Sequence, residues 1–136
     1  MTAFLDTNVL LYAVSKTPSE AAKVQVALAL LEDRDAVLST QVLQEFYVQA
    51  TRPGRADALS HDQARLLMES WLRFQVVSVT PELVFAALAT KKRWGLSSWD
   101  SAIIEAARSA GCKKVLSEDM QDGRDFAGVK GVNPFA

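Results

Sequence analysis

Asp6, Glu45, Asp100 and Asp119 are the residues of this chain whose type and placement could do chemistry. Each stands just past a strand-like segment or within the first turns of a helical one. Open parallel α/β sheets collect such positions outside the carboxyl ends of their strands. Carboxylates gathered in one crevice repel, and without a counter-charge their pKa values rise. A divalent cation resolves that conflict. Oxygen-only ligands suit Mg²⁺ or Mn²⁺, and such sites commonly act on phosphate esters. One ion that keeps several waters fits this pattern, and so do two ions sharing the carboxylates.

Positioning these acids falls to apolar segments of strand length that alternate with segments of helical period. Thr2 to Leu5 reads as the first strand, with a helix over Thr7 to Val14 directly after it. A second helix runs from Pro18, a favoured first-turn residue, to Leu31. Ala36 to Leu38 reads as strand two and Thr40 to Ala50 as a helix. The stretch TRPGRADALS is a loop marked by Pro53 and Gly54. Helix resumes near His61 and reaches Arg73, and Val76 to Val79 forms strand three. Thr80, Pro81 and Glu82 announce a helix that Gly95 ends. Ser97 or Ser98 caps the next helix, Trp99 to Ala110. Lys114 to Leu116 is strand four, and Val129 to Val132 is a short last strand. The alternation implies an α/β fold with a parallel sheet of about four to five strands and helices on both faces. Right-handed crossovers would bring the strand carboxyl ends to one edge.

Each acid also has an ordinary structural role open to it. Asp6 can be a helix N-cap, accepting a backbone N–H from Asn8 or Val9. Asp100 can serve the helix dipole in a first turn. Its neighbours at helical spacing are Ile103, Ile104 and Ala107, so it lies in line with the apolar stripe and needs a partner there. Glu45 flanks the stripe of Val42, Leu43, Phe46, Tyr47 and Ala50, where a solvated helix face is the default. Asp119 lies in the acid-rich stretch SEDMQDGRDF, and its place nearest the strand end favours it over Asp122.

Composition narrows the classes. The chain has 136 residues, 49% of them hydrophobic, which suits one domain over residues 1–136 with a sizeable core. Its longest apolar run, Val26 to Leu31, is too short to span a bilayer, so no membrane association is expected. The N-terminus MTAFLD lacks the basic and apolar regions of a signal peptide. One cysteine, Cys112, and one histidine, His61, exclude an internal disulfide and argue against a Cys/His zinc site. These features together indicate a cytoplasmic protein. Cys112 reads as small buried filler, and His61 as a surface or capping residue. The net charge of −1 provides no bulk attraction for polyanions. Nucleic-acid contact would rest on local groups: Lys91, Lys92 and Arg93; Arg52 and Arg55; Lys113 and Lys114.

In this order the acids and their flanking residues resemble the PIN-domain ribonucleases. FLDTNVLLYA is similar to that family's first motif, and Glu45 in STQVLQEFYVQA to its second acid. LSSWDSAIIEAARSAG is similar to the third motif, with Asp100 as its acid. VLSEDMQDG resembles the fourth, with Asp119 as its acid and Ser117 as a polar helper. The likeness runs from about residue 2 to beyond residue 120, and the first and third motifs are the more specific. A lone domain of this length resembles the VapC-type toxins of toxin–antitoxin pairs.

The resemblance implies Mg²⁺- or Mn²⁺-dependent endonucleolytic cleavage of RNA by metal-activated water. By that analogy Asp6 and Asp100 are the principal metal ligands. Glu45 and Asp119 complete the acidic site, and Thr7 and Asn8 position the first motif. A homodimer is implied as well, with a small antitoxin that blocks the site while the complex binds operator DNA. An RNA-processing PIN nuclease without an antitoxin is the alternative within the class. A PIN-like binding module with an inactive site is the alternative outside it. A phosphorylatable receiver domain would need an aspartate ending strand three, where Val79-Thr80-Pro81 stands. A HAD-type phosphatase would need an aspartate at position 8, where Asn8 stands.

Overall fold

The strands fall at short, buried, apolar segments, and helices start where a hydroxyl or carboxyl side chain can close the first turn. In the computed structural model, which describes residues 2–136, the chain forms five strands and six α-helices. They are β1 (Ala3–Leu5), α1 (Thr7–Ala13), α2 (Ala21–Leu31), β2 (Ala36–Ser39), α3 (Thr40–Ala50), α4 (His61–Ser70), β3 (Gln75–Val77), α5 (Pro81–Trp94), α6 (Ser98–Ser109), β4 (Lys114–Leu116) and β5 (Lys130–Val132). Side-chain oxygens of Ser39, Ser60, Thr80 and Ser97 cap α3, α4, α5 and α6 by accepting the N–H three residues on. At the other end of α5, Gly95 takes φ 70°, which stops the helix without the strain a side chain would add.

The sheet is parallel throughout, in the order β3-β2-β1-β4-β5. From β1 the chain moves outward to β2 and β3, then crosses back to β4 on the other side. Right-handed crossovers therefore put α1 to α4 on one face and α5 and α6 on the other. The direction reverses between β1 and β4, so a crevice opens at their carboxyl ends. Asp6 follows β1 and Ser117 to Asp119 follow β4, one on each side of that crevice.

The core is a single cluster. Phe4, Leu5, Val37, Leu38 and Val115 of the sheet pack with Val9, Leu10, Val42, Phe46, Ile103, Ile104 and Ala107 of the helices. Phe46 meets the buried Trp71 edge to face at 4.7 Å, a favourable aromatic geometry. Cys112 is buried beside this core as a free thiol.

Three expected elements differ in detail. Strand three covers Gln75–Val77 rather than Val76 to Val79. Its partner β2 ends at Ser39, which pairs with Val77. Beyond that the Val79 N–H turns to the Thr40 hydroxyl, 3.2 Å away. The expected helices from Pro18 and up to Arg73 each include one turn of 3-10 geometry, at Pro18–Glu20 and Trp71–Arg73.

The segment after β4 has no helix and folds back over β5. Gly131 makes this possible: a Cβ there would lie 3.2 Å from the Gln121 carbonyl oxygen and 3.3 Å from Met120 Cβ. Its N–H donates to the Arg124 carbonyl, and its own carbonyl accepts from Gly123 N–H. Arg108 of α6 holds the far side of the loop by donating to the Phe126 and Ala127 carbonyls. The loop that carries Asp119 and Arg124 is thereby fixed from both sides.

Candidate active site

Asp6 closes β1, and its own N–H donates to the Leu116 carbonyl at 3.1 Å, extending the pairing with β4 by one residue. Its side chain is 7% exposed. It occupies the N-cap position of α1, yet it accepts from the Thr7 N–H at 2.7 Å, not from Asn8 or Val9. The other carboxylate oxygen accepts from the Ser117 hydroxyl at 2.8 Å. Burial pushes the Asp6 pKa up to about 6. The Ser117 and Thr7 hydrogen bonds oppose that rise, while the charges of Glu45 and Asp100 add to it.

Ser117 is fully buried and works as a hub. While donating to Asp6, its oxygen accepts from Asn8 Nδ2 and from the Asp119 N–H, both at 3.1 Å. Asn8 Nδ2 also donates to the Asp119 carboxylate at 3.2 Å, and its Oδ1 accepts from the Glu118 N–H. The first turn of α1 and the loop after β4 are thus stitched together across the crevice.

Glu45 enters from α3. The buried Thr7 hydroxyl donates to it at 3.2 Å, and the Trp99 indole N–H donates to the same oxygen. Asp100 stands in the first turn of α6, its N–H donating to the capping Ser97 hydroxyl at 3.0 Å. The Asp100 pKa is raised, chiefly by burial, with the Asp119 charge adding to it and Ser97 opposing. The electrostatic links run from Glu45 through Asp6 and Asp100 to Asp119. All seven residues singled out in the sequence (Asp6, Thr7, Asn8, Glu45, Asp100, Ser117 and Asp119) therefore converge at one edge of the sheet.

Neighbouring acids have other employment, which separates Asp119 from its rivals. Glu118 accepts from the Tyr12 hydroxyl and from Lys23, each at 2.5 Å. Asp122 accepts the Asn133 N–H and Asp125 the Gly128 N–H, at 2.9 and 2.7 Å. Of these acids only Asp119 bonds to Asn8 through its carboxylate, and only it lines a cleft with Asp100. That cleft holds about 260 Å³ and is also lined by Ser97, Gln121 and Arg124.

Two neighbours of the acids escaped the sequence reading. Trp99 is joined to Glu45, and its signal was its position directly before Asp100. Arg124 brings a guanidinium into the cleft, stacked 4.9 Å from the Phe126 ring and bonded to the Trp94 carbonyl. Nothing in the sequence distinguished it from other surface charges.

Among the described residues, no group of three His, Cys, Asp or Glu side chains is close enough to enclose a metal ion. Mg²⁺ does not require such a cage: it keeps several waters and takes one or two carboxylates plus substrate oxygens. A buried carboxylate with a raised pKa, next to a second one and to further acids, fits that demand. Asp6 and Asp100 are the residues that would hold the ion.

A sequence model of the PIN domain family matches residues 3–127. No curated protein matches the sequence. Several solved structures share the fold. A toxin–antitoxin complex from Klebsiella pneumoniae contains a chain that superposes with a TM-score of 0.72 and 18% identity, over 98% of this chain and 98% of that one. VapC20 of Mycobacterium tuberculosis, a sarcin-ricin loop cleaving toxin, gives 0.66 and 19%, over 87% of this chain and 92% of that one. VapBC2 of Rickettsia felis, bound to a DNA fragment from its promoter, gives 0.62 and 15%, over 98% and 100%. At such identities the likeness is one of fold.

Proposed function

The chain belongs to the PIN domain family, and from that premise we propose that it is a metal-dependent endoribonuclease serving as the toxin of a toxin–antitoxin pair. The observation that carries this reading is the convergence of four acids from four separate segments, with Asp6 buried among them. A structural N-cap has no need of that company. Asp6 and Asp100 are the proposed ligands of Mg²⁺ or Mn²⁺, with Glu45 and Asp119 completing the site directly or through water. A divalent ion held by these residues would supply Lewis acidity, lowering the pKa of bound water and offsetting negative charge on a phosphodiester.

The chain's own residues do the positioning. Ser117 and the Thr7 N–H fix both oxygens of Asp6, so its orientation is set before anything binds. Thr7 and Trp99 aim Glu45, and Asn8 aims Asp119. Arg124, in the cleft with Asp100 and Asp119, supplies positive charge for a substrate phosphate. Lys91, Lys92 and Arg93 lie in the last turn of α5, just before Gly95, which lines the same cleft, and we propose them as further local positive charge for RNA. This reconciles RNA binding with a net charge of −1.

The remaining parts of the proposal rest on the relatives. An antitoxin partner is proposed from the toxin–antitoxin assemblies that share the fold, with operator DNA reached only through the complex; the homodimer is proposed from the family resemblance alone. The cytoplasmic location is likewise part of the proposal, by analogy with the relatives; no helix among the described residues is long and apolar enough to cross a membrane.

The test is cleavage of total cellular RNA by the purified protein in Mg²⁺, in Mn²⁺ and in EDTA. Discrete fragments that require metal are expected, and end mapping then identifies the target. Intact RNA with both metals, from well-folded protein, would favour a PIN-like binding module instead.

A further inference from the structure

Trp99 is the one large aromatic side chain of the described residues that is both bonded to the acidic site and widely open to solvent. It is 48% exposed. Such exposure of an indole forgoes burial of one of the largest apolar side chains. Yet the residue is held at two points. Its indole N–H donates to Glu45, and its backbone carbonyl accepts from the buried Gln41 amide at 3.2 Å. It also sits in the first turn of α6, immediately before Asp100. A ring fixed in orientation, half open and next to the carboxylates leaves its remaining surface free for a ligand.

Exposure alone does not set Trp99 apart, since Phe85 is 70% exposed and Leu66 67%. Those side chains lie on α5 and α4 without a bond to any of the four acids. The start of α5, where Phe85 sits, packs by the end of α6: Thr80 and Leu83 share a groove with Arg108 and Ser109. Asp100 is at the opposite end of α6. Only Trp99 combines an open aromatic surface with a rigid link to a proposed catalytic acid.

We propose that Trp99 is a nucleobase-stacking platform that seats an unpaired base of single-stranded RNA next to the phosphodiester at the acidic centre. This rests on the nuclease reading above and deepens it. Every base has a π-face, so stacking on an aromatic side chain is tolerant of sequence and selects single-stranded or loop RNA over duplex. The N–H bond to Glu45 adds a second consequence. The ring that carries the base and the acid that serves the phosphate move as one unit, so base and phosphate are placed together.

The probe is a short oligouridylate, titrated by tryptophan fluorescence and by anisotropy against the Asp6→Asn protein in Mg²⁺. That background lacks cleavage under the nuclease reading and has less repulsion at the site. Trp99→Ala in this background is expected to weaken binding roughly five- to 150-fold, the range that corresponds to loss of one stacked base. Trp99→Phe keeps a ring and should lose less than about fivefold, below that range, while Phe85→Ala should bind as the parent does. In the parent, oligouridylate should quench fluorescence, and Trp99→Phe should remove most of the quenching, because Trp71 is buried in the core and Trp94 meets the cleft only through Arg124. Undiminished binding by a folded Trp99→Ala protein would overturn the platform while leaving the nuclease intact. Equal losses for Trp99→Phe and Trp99→Ala would also overturn it, because the N–H and not the ring would then matter. A parent that binds no RNA would remove both the platform and the nuclease reading on which it stands.

Discussion

β1 and β2 lie side by side in the sheet, and each turns directly into a helix whose N-cap residue offers a side-chain oxygen. At the end of β2, Ser39 is fully buried, and its hydroxyl accepts the Val42 N–H at 3.2 Å. That is ordinary capping by a neutral group, reaching the third N–H of the helix. At the end of β1, Asp6 is nearly as buried but reaches only its neighbour's N–H, and its second oxygen turns to Ser117, just past the end of β4. The same backbone turn is thus closed in one case by a group suited to closing it. In the other it is closed by a charge that burial disfavours. A buried carboxylate facing two others is a poor cap and a good cation ligand. The difference separates a turn that is closed structurally from the one that is the candidate for chemistry.

The largest effect should separate the two turns by activity. Asp6→Asn or Asp100→Asn is expected to lower RNA cleavage by more than the roughly 10- to 100-fold typical of losing a supporting residue at a metal site. The fold should stay intact by circular dichroism. A fully active Asp100→Asn protein would remove the proposed site.

The next effect is on stability and changes with pH. In the unfolded chain the Asp6 carboxyl titrates near 3.8, and in the fold near 6. Below the lower value both states hold the proton, and the group carries no penalty. As pH rises between the two, only the unfolded chain ionises, so stability falls. Above pH 6 the whole loss is present, about 3 kcal/mol for a shift of this size. Asp6→Asn lacks this slope. In metal-free buffer it should be the more stable protein at pH 7.5, with the gap closing as pH falls below the unfolded value. Mg²⁺ should raise the melting temperature of the parent more than that of the variant. A variant less stable than the parent at pH 7.5 would show that hydrogen bonds outweigh burial at Asp6.

Much of this contrast is visible in the sequence, because strand-to-helix switches announce themselves through period changes and capping residues. Asp6 at the first switch and the Thr80-Pro81-Glu82 start of α5 are both local signals, and α3 spans Thr40–Ala50 as its apolar stripe predicts. The convergence at Ser117 is not local. It depends on β4 lying beside β1 across the reversal of strand order, which no stretch of sequence states. The sequence favours Asp119 over Asp122 only through its place nearest the strand end; the further ground is not local, since Asp122 is occupied by the Asn133 N–H from beyond β5. Arg124 lines the cleft from a loop that packs closely over Gly131 of β5, a placement no local stretch of sequence states. The extent of β3 is not legible locally, because its pairing ends where β2 ends, which is a property of the neighbouring strand.

A smaller effect probes the link between the turns. The Thr7 hydroxyl, next to the acid cap of β1, donates to Glu45 on the helix that follows β2. Thr7→Val keeps the β-branched shape and removes that donor. Cleavage should fall about tenfold, in the range for loss of an orienting contact at a metal site, with the Mg²⁺ requirement retained. An unchanged rate would mean that Trp99 alone holds Glu45.

The smallest effect returns to the neutral turn. Ser39→Ala removes the hydroxyl that closes α3 and leaves the Val42 N–H without its side-chain partner. Loss of such a cap costs about 1 kcal/mol. The helix carries Glu45 one turn further on, so a loosened first turn has a route to the site. That route is weak, however, because Val42 and Phe46 anchor the same helix in the core and Glu45 is also held by Thr7 and Trp99. Ser39→Ala should therefore lower the denaturation midpoint while leaving the cleavage rate per folded molecule unchanged. A rate loss as large as that of Thr7→Val would show that the cap at β2 serves the acidic site as well, and the two turns would then differ in degree rather than in kind.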